Sequence, residues 1–550
     1  MTMEPDTIRS SFEQHVSARK THDSRLQSIV DYVDPTRYDF FDPLLTSASV
    51  SWEHPHIYDN TATVYYKLLA SRLKSNMMNA STRWYNIRFR SEDNNEDAEA
   101  TEWLEDCVTR MWHTQSESNF NEMAGETMRD NVLLGTSMAM QEPKGDLIWE
   151  GMEYTALPIM DSYFDMGPDG VPYRIFRKLR YTREDLDRRF ELPEGYTLED
   201  PEEGSIDAKI EVIFCVYERE EISKELKLGE ILVPEKRPYG YKYVIHSDGT
   251  ELEEGGYYHF PALVTRWDKV AGTQWGSGPV ADILENIRQL NTFVAQKSES
   301  GAKALDPPYK TTERGVIGDL DSNAGGITVV TDMDDLQPLL DQNATMAGMN
   351  AGDQIIIHLQ NTIRMAMYGD KLELKESPAM TATEVAARLE EAFRLIADVV
   401  GRIQDEFQTP ALQFLFNTML RMKGFLPMPD SLLNTDLDIV FTGPIARALQ
   451  AEQADGIISY LMLTAELAEI YPDMLDIPDL DKMSRKLAKL KGVPTDHLHS
   501  QEDVEQIRAA RAEQQQQMQE AQNIQMGGEA MKAAGEGAQA AQEAGIEEPT

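Results

Sequence analysis

Cysteine is nearly absent: 550 residues contain only Cys107 and Cys215. Set far apart, they offer neither a disulfide framework nor zinc-ligand spacing, which fits a reducing compartment. No run of 18 apolar residues occurs, so no transmembrane helix is expected, and the mean hydropathy of -0.46 agrees. The opening MTMEPDTIRSSFEQ lacks an apolar signal core, so no secretion signal is expected. Positive charge is scarce, with 52 Lys and Arg against 94 Asp and Glu, a net charge of -42. A protein that grips duplex DNA neutralises phosphates with a basic face, and this chain as a whole cannot. It can still surround DNA without adhering, because like-charged walls repel the duplex. The plainer consequence of the charge is solubility.

Catalytic motifs are also missing. There is no G-x-x-x-x-G-K-[ST] phosphate loop and no G-x-S-x-G elbow. ITVVTDMDD at Ile327–Asp335 has the form of an apolar strand ending in magnesium-holding acids, but lacks a phosphate-loop partner. DLDSNAGG at Asp319–Gly326 starts like a calcium loop, with Asp319, Asp321 and Asn323 in ligand spacing. Ala324 replaces the glycine and Val330 the bidentate acid, so an Asx-stabilised turn is expected. The pairs His54/His56 and His497/His499 lack further ligands nearby. No catalytic residue, metal site or cofactor is therefore expected.

What the chain does have is length, 41% apolar residues and helical periodicity. At about 150 residues per domain it should form three or four domains. From Arg266 to Tyr309 a turn with Gly272, Gly276 and Gly278 leads into one long helical pattern that stops at a double proline. An anion site at the helix start is conceivable, but a tight turn is the simpler reading. Ile283, Ile287, Leu290 and Val294 make a narrow apolar stripe, flanked by Asp282, Glu285, Arg288, Gln289, Lys297 and Glu299. A helix of about 25 residues spans ~38 Å, and so narrow a seam needs neighbours on both sides.

Elsewhere, helices are predicted over 8–33 (ended by Pro35), 60–80 (capped by Asn60 or Thr61), 97–115 and 117–134. DLIWEGMEY, YRIFRKLRY, IEVIFCVYERE and the segment around Asp248-Gly249 read as strands with a hairpin turn. One strand is expected at Gly326–Thr331, then a helix over about 346–368. A very long helix should start at Thr381, with Glu384 completing a capping box, kink at Pro410 and stop at Gly424. DLDIVF at 436–441 reads as a strand, and 444–471 and 479–491 as helices. The class is α+β, mainly α.

The order of these parts resembles the head-to-tail connector, or portal, proteins of short-tailed bacteriophages. The motifs that carry the resemblance are YVDPTRYDF, YDNTATVYYKLLASRLKSNMM, WGSGPVADILENIRQLN, MTATEVAARLEEAFRLI, FLPMPDSLL, DIVFTGPIARALQAEQ and a Gln-rich tail. Together they cover nearly the whole chain.

The resemblance implies a portal-type fold and a non-enzymatic ring, usually of twelve subunits, at one capsid vertex. Its parts would be an α/β wing (1–275), stem helix 1 (276–304), a small α/β clip (305–345), stem helix 2 (346–368) and a channel loop (369–380). A long kinked wing helix (381–435), a helical crown (436–500), a possible helical barrel (501–525) and a disordered tail (526–550) follow. The implied partners are other copies of the chain, double-stranded DNA passing through, the terminase large subunit, major capsid and scaffolding proteins, and tail adaptor proteins, with no membrane. The implied location is the virion, after synthesis in the bacterial host cytoplasm. Lys297 and Lys303 on the stem, with Lys371 and Lys375 on the loop, are candidate passing contacts to DNA; pairing with acids of neighbouring subunits is the equal alternative. Tyr309, Lys310 and Arg314 are candidate docking residues on the clip.

Geometry agrees with that architecture. Twelve helices ~10 Å apart close a circle ~38 Å across, leaving ~28 Å inside the side chains, enough for a ~20 Å duplex. The alternatives are another virion structural protein, such as a tail adaptor or scaffold, or a metal-dependent phosphohydrolase built on the acids near 319–335.

Overall fold

The computed structural model describes residues 3–37, 57–90, 98–146, 148–192, 209–219, 222, 232–305, 309–311, 316–317, 329–332, 336–338, 342–369, 396–429, 437–442, 444–468, 471, 477–490, 504 and 506–511. The chain divides into two units, residues 1–449 and 450–550. It is mixed helix and strand, with several small sheets.

The first unit opens with α1 (Pro5–Val33), which starts on proline and stops before Pro35, as its periodicity predicts. Helix α2 (Thr61–Met77) follows. Its first turn is capped by Asp59, whose Oδ1 accepts the Thr61 N–H at 2.8 Å. Asn60 holds the N-cap position, as expected, but its side chain makes no cap hydrogen bond, and the neighbouring Asp59 supplies it. Helices α3 (Ala98–Glu117) and α4 (Phe120–Leu134) complete the helical layer.

Two antiparallel sheets lie beneath. In the first, β2 (Thr136–Pro143) sits between β3 (Met152–Leu157) and β9 (Ala262–Arg266). The second runs in sequence order: β4 (Ser162–Met166), β5 (Pro172–Tyr181), β6 (Ile210–Glu218), β7 (Tyr239–Ile245) and β8 (Glu251–Tyr257). A short helix, α5 (Arg183–Arg189), leaves β5. The predicted turn between β7 and β8 is present, with Gly249 at φ +81° and Asp248 Oδ1 accepting the Thr250 N–H. Strand β6 is buried on both faces because its side chains alternate. Ile213, Cys215 and Tyr217 meet Ile8 and Phe12 of α1, while Phe214 and Val216 face the main core.

Three expectations need correction here. The strand expected at DLIWEGMEY begins later, at Met152. Strands β1 (Tyr85–Phe89), β2 and β4 and helix α5 are additional to the expected elements; YNIRF in β1 does alternate, burying Tyr85, Ile87 and Phe89, but over five residues only. Beyond Lys269 the chain does not form one long helix: it forms α6 (Pro279–Asp282), breaks at Ile283, and restarts as α7 (Leu284–Leu305).

After α7, β12 (Tyr309–Thr311) pairs with β15 (Leu336–Pro338), and β13 (Val316–Ile317) with β14 (Val329–Val330). This small region therefore has more strand than the single one expected. Helix α8 (Gln342–Ala366) returns along α7 and ends with Tyr368 at φ 55°. The long-helix pattern appears as α9 (Ala397–Ile403), a π-helical turn over Gln404–Gln408, and α10 (Thr409–Arg421). The irregularity falls just before Pro410, where a missing backbone donor disturbs the ladder. The predicted start at Thr381 with Glu384 lies outside the described residues. The stop differs in detail: Lys423, not Gly424, takes the left-handed conformation (φ 58°), and the Gly424 N–H closes back onto the Met419 carbonyl at 2.7 Å. Strand β16 (Leu437–Phe441) pairs antiparallel with β1, bringing residues about 350 apart in sequence together.

The main core gathers Trp84, Tyr85, Phe120, Tyr154 and Phe407 under α2–α4 and the π turn. Both cysteines are buried in apolar surroundings that push their thiol pKa values up, so neither is a reactive thiolate. The second unit contains most of α11 (Pro444–Ala468) and all of α12 (Leu480–Leu490). No described helix is long and apolar enough to cross a membrane.

Candidate functional site

The feature that sets this molecule apart from a simple α/β body is the hairpin of α7 and α8 with paired strands at its tip. How it is fixed to the body decides what it can do.

Its head is held by contact between backbones. Gly135 ends α4 in the left-handed conformation, φ +77°. Its carbonyl accepts the Trp267 N–H at 2.9 Å. Strands β10 (Asp268–Lys269) and β11 (Gly276–Ser277) pair beside it, and the Gly276 N–H donates to Thr136 Oγ1 at 2.8 Å. A Cβ on Gly135 would lie 2.3 Å from the Gly278 nitrogen, and one on Gly276 would lie 2.2 Å from the Gly135 oxygen. The glycines before the helix therefore serve close approach to α4 and a strand pair, rather than cradling an anion.

A buried ion pair secures the same junction. Glu406, in the π turn, accepts from the Arg266 backbone N–H at 2.9 Å and from its guanidinium at 2.6 Å. Both side chains are almost fully buried, and Lys269 Nζ lies 3.5 Å from the same carboxylate. One turn earlier, Arg402 donates to the Trp267 carbonyl and pairs with Asp268 at 3.0 Å. The end of α9 and the π turn thus present Arg402 and Glu406 to the strands that lead into the hairpin.

A polar node lies deeper. Asn291 of α7 is buried; its Oδ1 accepts the Tyr58 and Asp59 N–H groups at 2.6 and 3.0 Å, and its Nδ2 donates to the Ile287 carbonyl. Asp59 Oδ2 accepts from Gln360 of α8 at 2.8 Å, while its Oδ1 caps α2. One aspartate therefore ties α2, α7 and α8 together. The sequence hint was available: Asn291 sits four residues after Ile287, beside the apolar stripe. Glu406 and Arg266 offered none, being 140 residues apart.

Among the predicted DNA contacts, Lys297 pairs with Asp353 across the hairpin, and Lys303 with Glu299 on its own helix at 2.6 Å. Both lysines thus have carboxylate partners within the chain. Tyr309 and Lys310 lie in β12 at the hairpin tip. Arg314, Lys371 and Lys375 lie outside the described residues. Of the predicted strand acids, Asp332 is exposed, and Asp334 and Asp335 lie outside the described residues. Among the described residues no group of His, Cys, Asp and Glu could hold a metal ion.

Burial along the hairpin is graded. Ile287, Leu290, Leu359, Ile363 and Met367 are buried near the body. Farther out, Thr292–Lys303 and Asn350–Ile355 include no buried residue, Ile355 being 39% exposed; Ile357 and Met365, on the opposite side of α8 from its buried residues, are 57% and 56% exposed.

Residues 5–498 match the family model described as bacteriophage head to tail connecting protein. The chain belongs to this connector family. It is similar to the "Probable portal protein" of Bordetella phage BPP-1, with 23% identity over 513 residues, covering 91% of this chain and 90% of the relative. It is also similar to the "Portal protein" of Salmonella phage epsilon15, with 24% identity over 521 residues, covering 92% and 90%. The family match spans both structural units of this connector chain, so the resemblance carried by the sequence motifs is sound from α1 to the end of α12.

Proposed function

We propose that copies of the chain close side by side into a ring, twelve by analogy with the family, at one capsid vertex. The ring is a passive, non-catalytic conduit for DNA entry and exit. Terminase, the capsid and scaffolding proteins, and tail adaptors dock on it. Residues 1–275 and 381–435 act as the wing, the segments around α7 and α8 as the stem, 305–345 as the clip, 369–380 as the channel loop, and 436–500 and 501–525 as crown and barrel.

The observation that carries this reading is the family match over residues 5–498. Two physical features support it. Among the described side chains, Thr292–Lys303 and Asn350–Ile355 include no buried residue, as expected of helices that pack against neighbours. The net charge of -42 suits a bore that repels the duplex. A head-to-tail contact that closes on itself has two different faces, so acids and bases can pair across it despite the acidic total.

Mass measurement and negative-stain imaging of purified protein test the ring. Annular particles of about a dozen chains are the expected result; a monomer or trimer at every concentration and salt overturns it.

A further inference from the structure

Helix α1 is held by two different means along its length. Its second half, with Leu26, Ile29, Val30 and Val33, enters the main core. Its first half covers a separate, smaller cluster, in which Ile8 and Phe12 meet Tyr163, Phe176 and Cys215. Beside that cluster stands His15. Its Nδ1 lies 2.7 Å from the Ser11 carbonyl of α1, and its Nε2 lies 2.8 Å from Asp165 Oδ1 on β4. The other Asp165 oxygen accepts from Arg174 Nε of β5 at 2.6 Å. Against the cost of burial, the His15 and Arg174 bonds hold the Asp165 carboxyl below its ordinary range, so it is a carboxylate at neutral pH. Both partners of the imidazole can therefore only accept. A neutral ring has one N–H and one lone pair, and would set that lone pair against an oxygen, whereas the imidazolium donates to both.

We propose that His15 is a protonation-dependent latch that holds the first half of α1 on the sheet, closed by the imidazolium and released when the ring loses its proton. The bond to Asp165 raises the His15 pKa above its ordinary 6.5, outweighing burial and the nearby charge of Arg174. A base raised on folding lends its stability below its unfolded value and withdraws it as pH rises through the folded value. The latch therefore opens on the alkaline side of neutrality. Tyr163 on β4 and Cys215 on β6 are pushed up by burial and stay neutral there. Arg19, one turn along α1, is engaged by Asp23 at 2.7 Å and by the carbonyls of Ile159 and Ser162. His22, two turns along, stacks on Trp275 and is lowered to about 4 by burial and by Arg19 and Arg25, so it carries no charge in this range. Opening frees α1 as far as Arg19 and uncovers Cys215 with the apolar face of β6.

Cys215, buried beneath this half of α1, reports the opening, and Cys107, buried in the main core, is the control. The full chain is labelled with iodoacetamide between about pH 6.5 and 9. Each rate is divided by that of a free thiol at the same pH and read by peptide mass. Normalised labelling of Cys215 should rise about tenfold across that range, the scale of one hydrogen bond to a charged group, while Cys107 stays flat. His15→Gln should make Cys215 labelling independent of pH. His15→Lys keeps a cation at the position to about pH 9 and should keep labelling as slow there as at the lowest pH, so the test stands even if the glutamine variant folds poorly. His246, which reaches α1 through Glu13 at 3.7 Å and bonds Glu211 at 3.1 Å, is the rival histidine. A flat wild-type profile, an equal rise at Cys107, a rise retained in either His15 variant, or a profile flattened by His246→Gln instead overturns the proposal.

Discussion

The α/β body and the α7–α8 hairpin solve the same problem, burying an amphipathic helix, in opposite ways. In the body, α1 is fully served by its own chain. Ile8 and Phe12 enter a core with Tyr163 and Phe176, and the Arg19 guanidinium bonds the carbonyls of Ile159 and Ser162 at 2.5 and 2.8 Å while stacking 3.9 Å from the Tyr163 ring. In the hairpin, among the described side chains, none from Thr292 to Lys303 on α7 or from Asn350 to Ile355 on α8 is buried, whereas Asn291 and Ile356 are. The body is a folding unit complete in itself, whereas the hairpin is finished only near its root.

The comparison is broken most strongly at the root. Glu406→Ala leaves Arg266 buried without its carboxylate, a loss of about 3–5 kcal/mol for a severed buried pair, to be read by denaturant unfolding. Gly135→Ala should follow, at about 1–3 kcal/mol or more, since it combines a left-handed backbone with a collision against Gly278. A midpoint shift below a few tenths of a kcal/mol would show that the glycine contact is loose.

Acid sharpens the body side. The His246 hydrogen bond, helped by Lys178 against the opposing effect of burial, holds the Glu211 carboxyl down to about 2 from 4.5. Its folded-state pKa lies below the unfolded value, so this contribution is present above about pH 4.5 and is lost as pH falls towards 2. Glu211→Gln should flatten the stability profile in that window by about 1–2 kcal/mol after solvent screening. An unchanged slope would remove Glu211 from the account.

The smallest effects belong to the hairpin. Lys297→Ala should change unfolding by no more than about 1 kcal/mol, since the pair with Asp353 is part-exposed. Ile357→Asp, at an exposed position, should leave unfolding within about 0.5 kcal/mol yet reduce the ring fraction seen by mass measurement. If it unfolds the chain instead, the outer hairpin is part of the core after all.

How much of this was legible in the sequence follows from range. Helices α1 to α4, α8 and α12 were readable because a 3.6-residue period is local, and the β7–β8 turn was announced by Asp248-Gly249. Strand β2 was missed because TSMAMQEP has neither alternation nor β-branched richness; it is buried because β3 and β9 flank it. The β1–β16 pairing and the Arg266–Glu406 junction join segments hundreds of residues or 140 residues apart, beyond any local pattern. The break at Ile283 was hidden because the apolar stripe runs through it unchanged. At the candidate site, the Glu299–Lys303 pair is a four-residue helical step legible in the sequence, whereas only the fold showed Asp353 beside Lys297.

The meeting of Gly135 with Gly276 and Gly278 has a mechanical consequence. Side chains that touch can change rotamer and absorb a push, whereas main chain against main chain has no such slack. A sideways load on the hairpin therefore passes undamped into α4 and the strand that follows it. Displacement at the tip should be felt as strain deep in the body rather than as play at the joint.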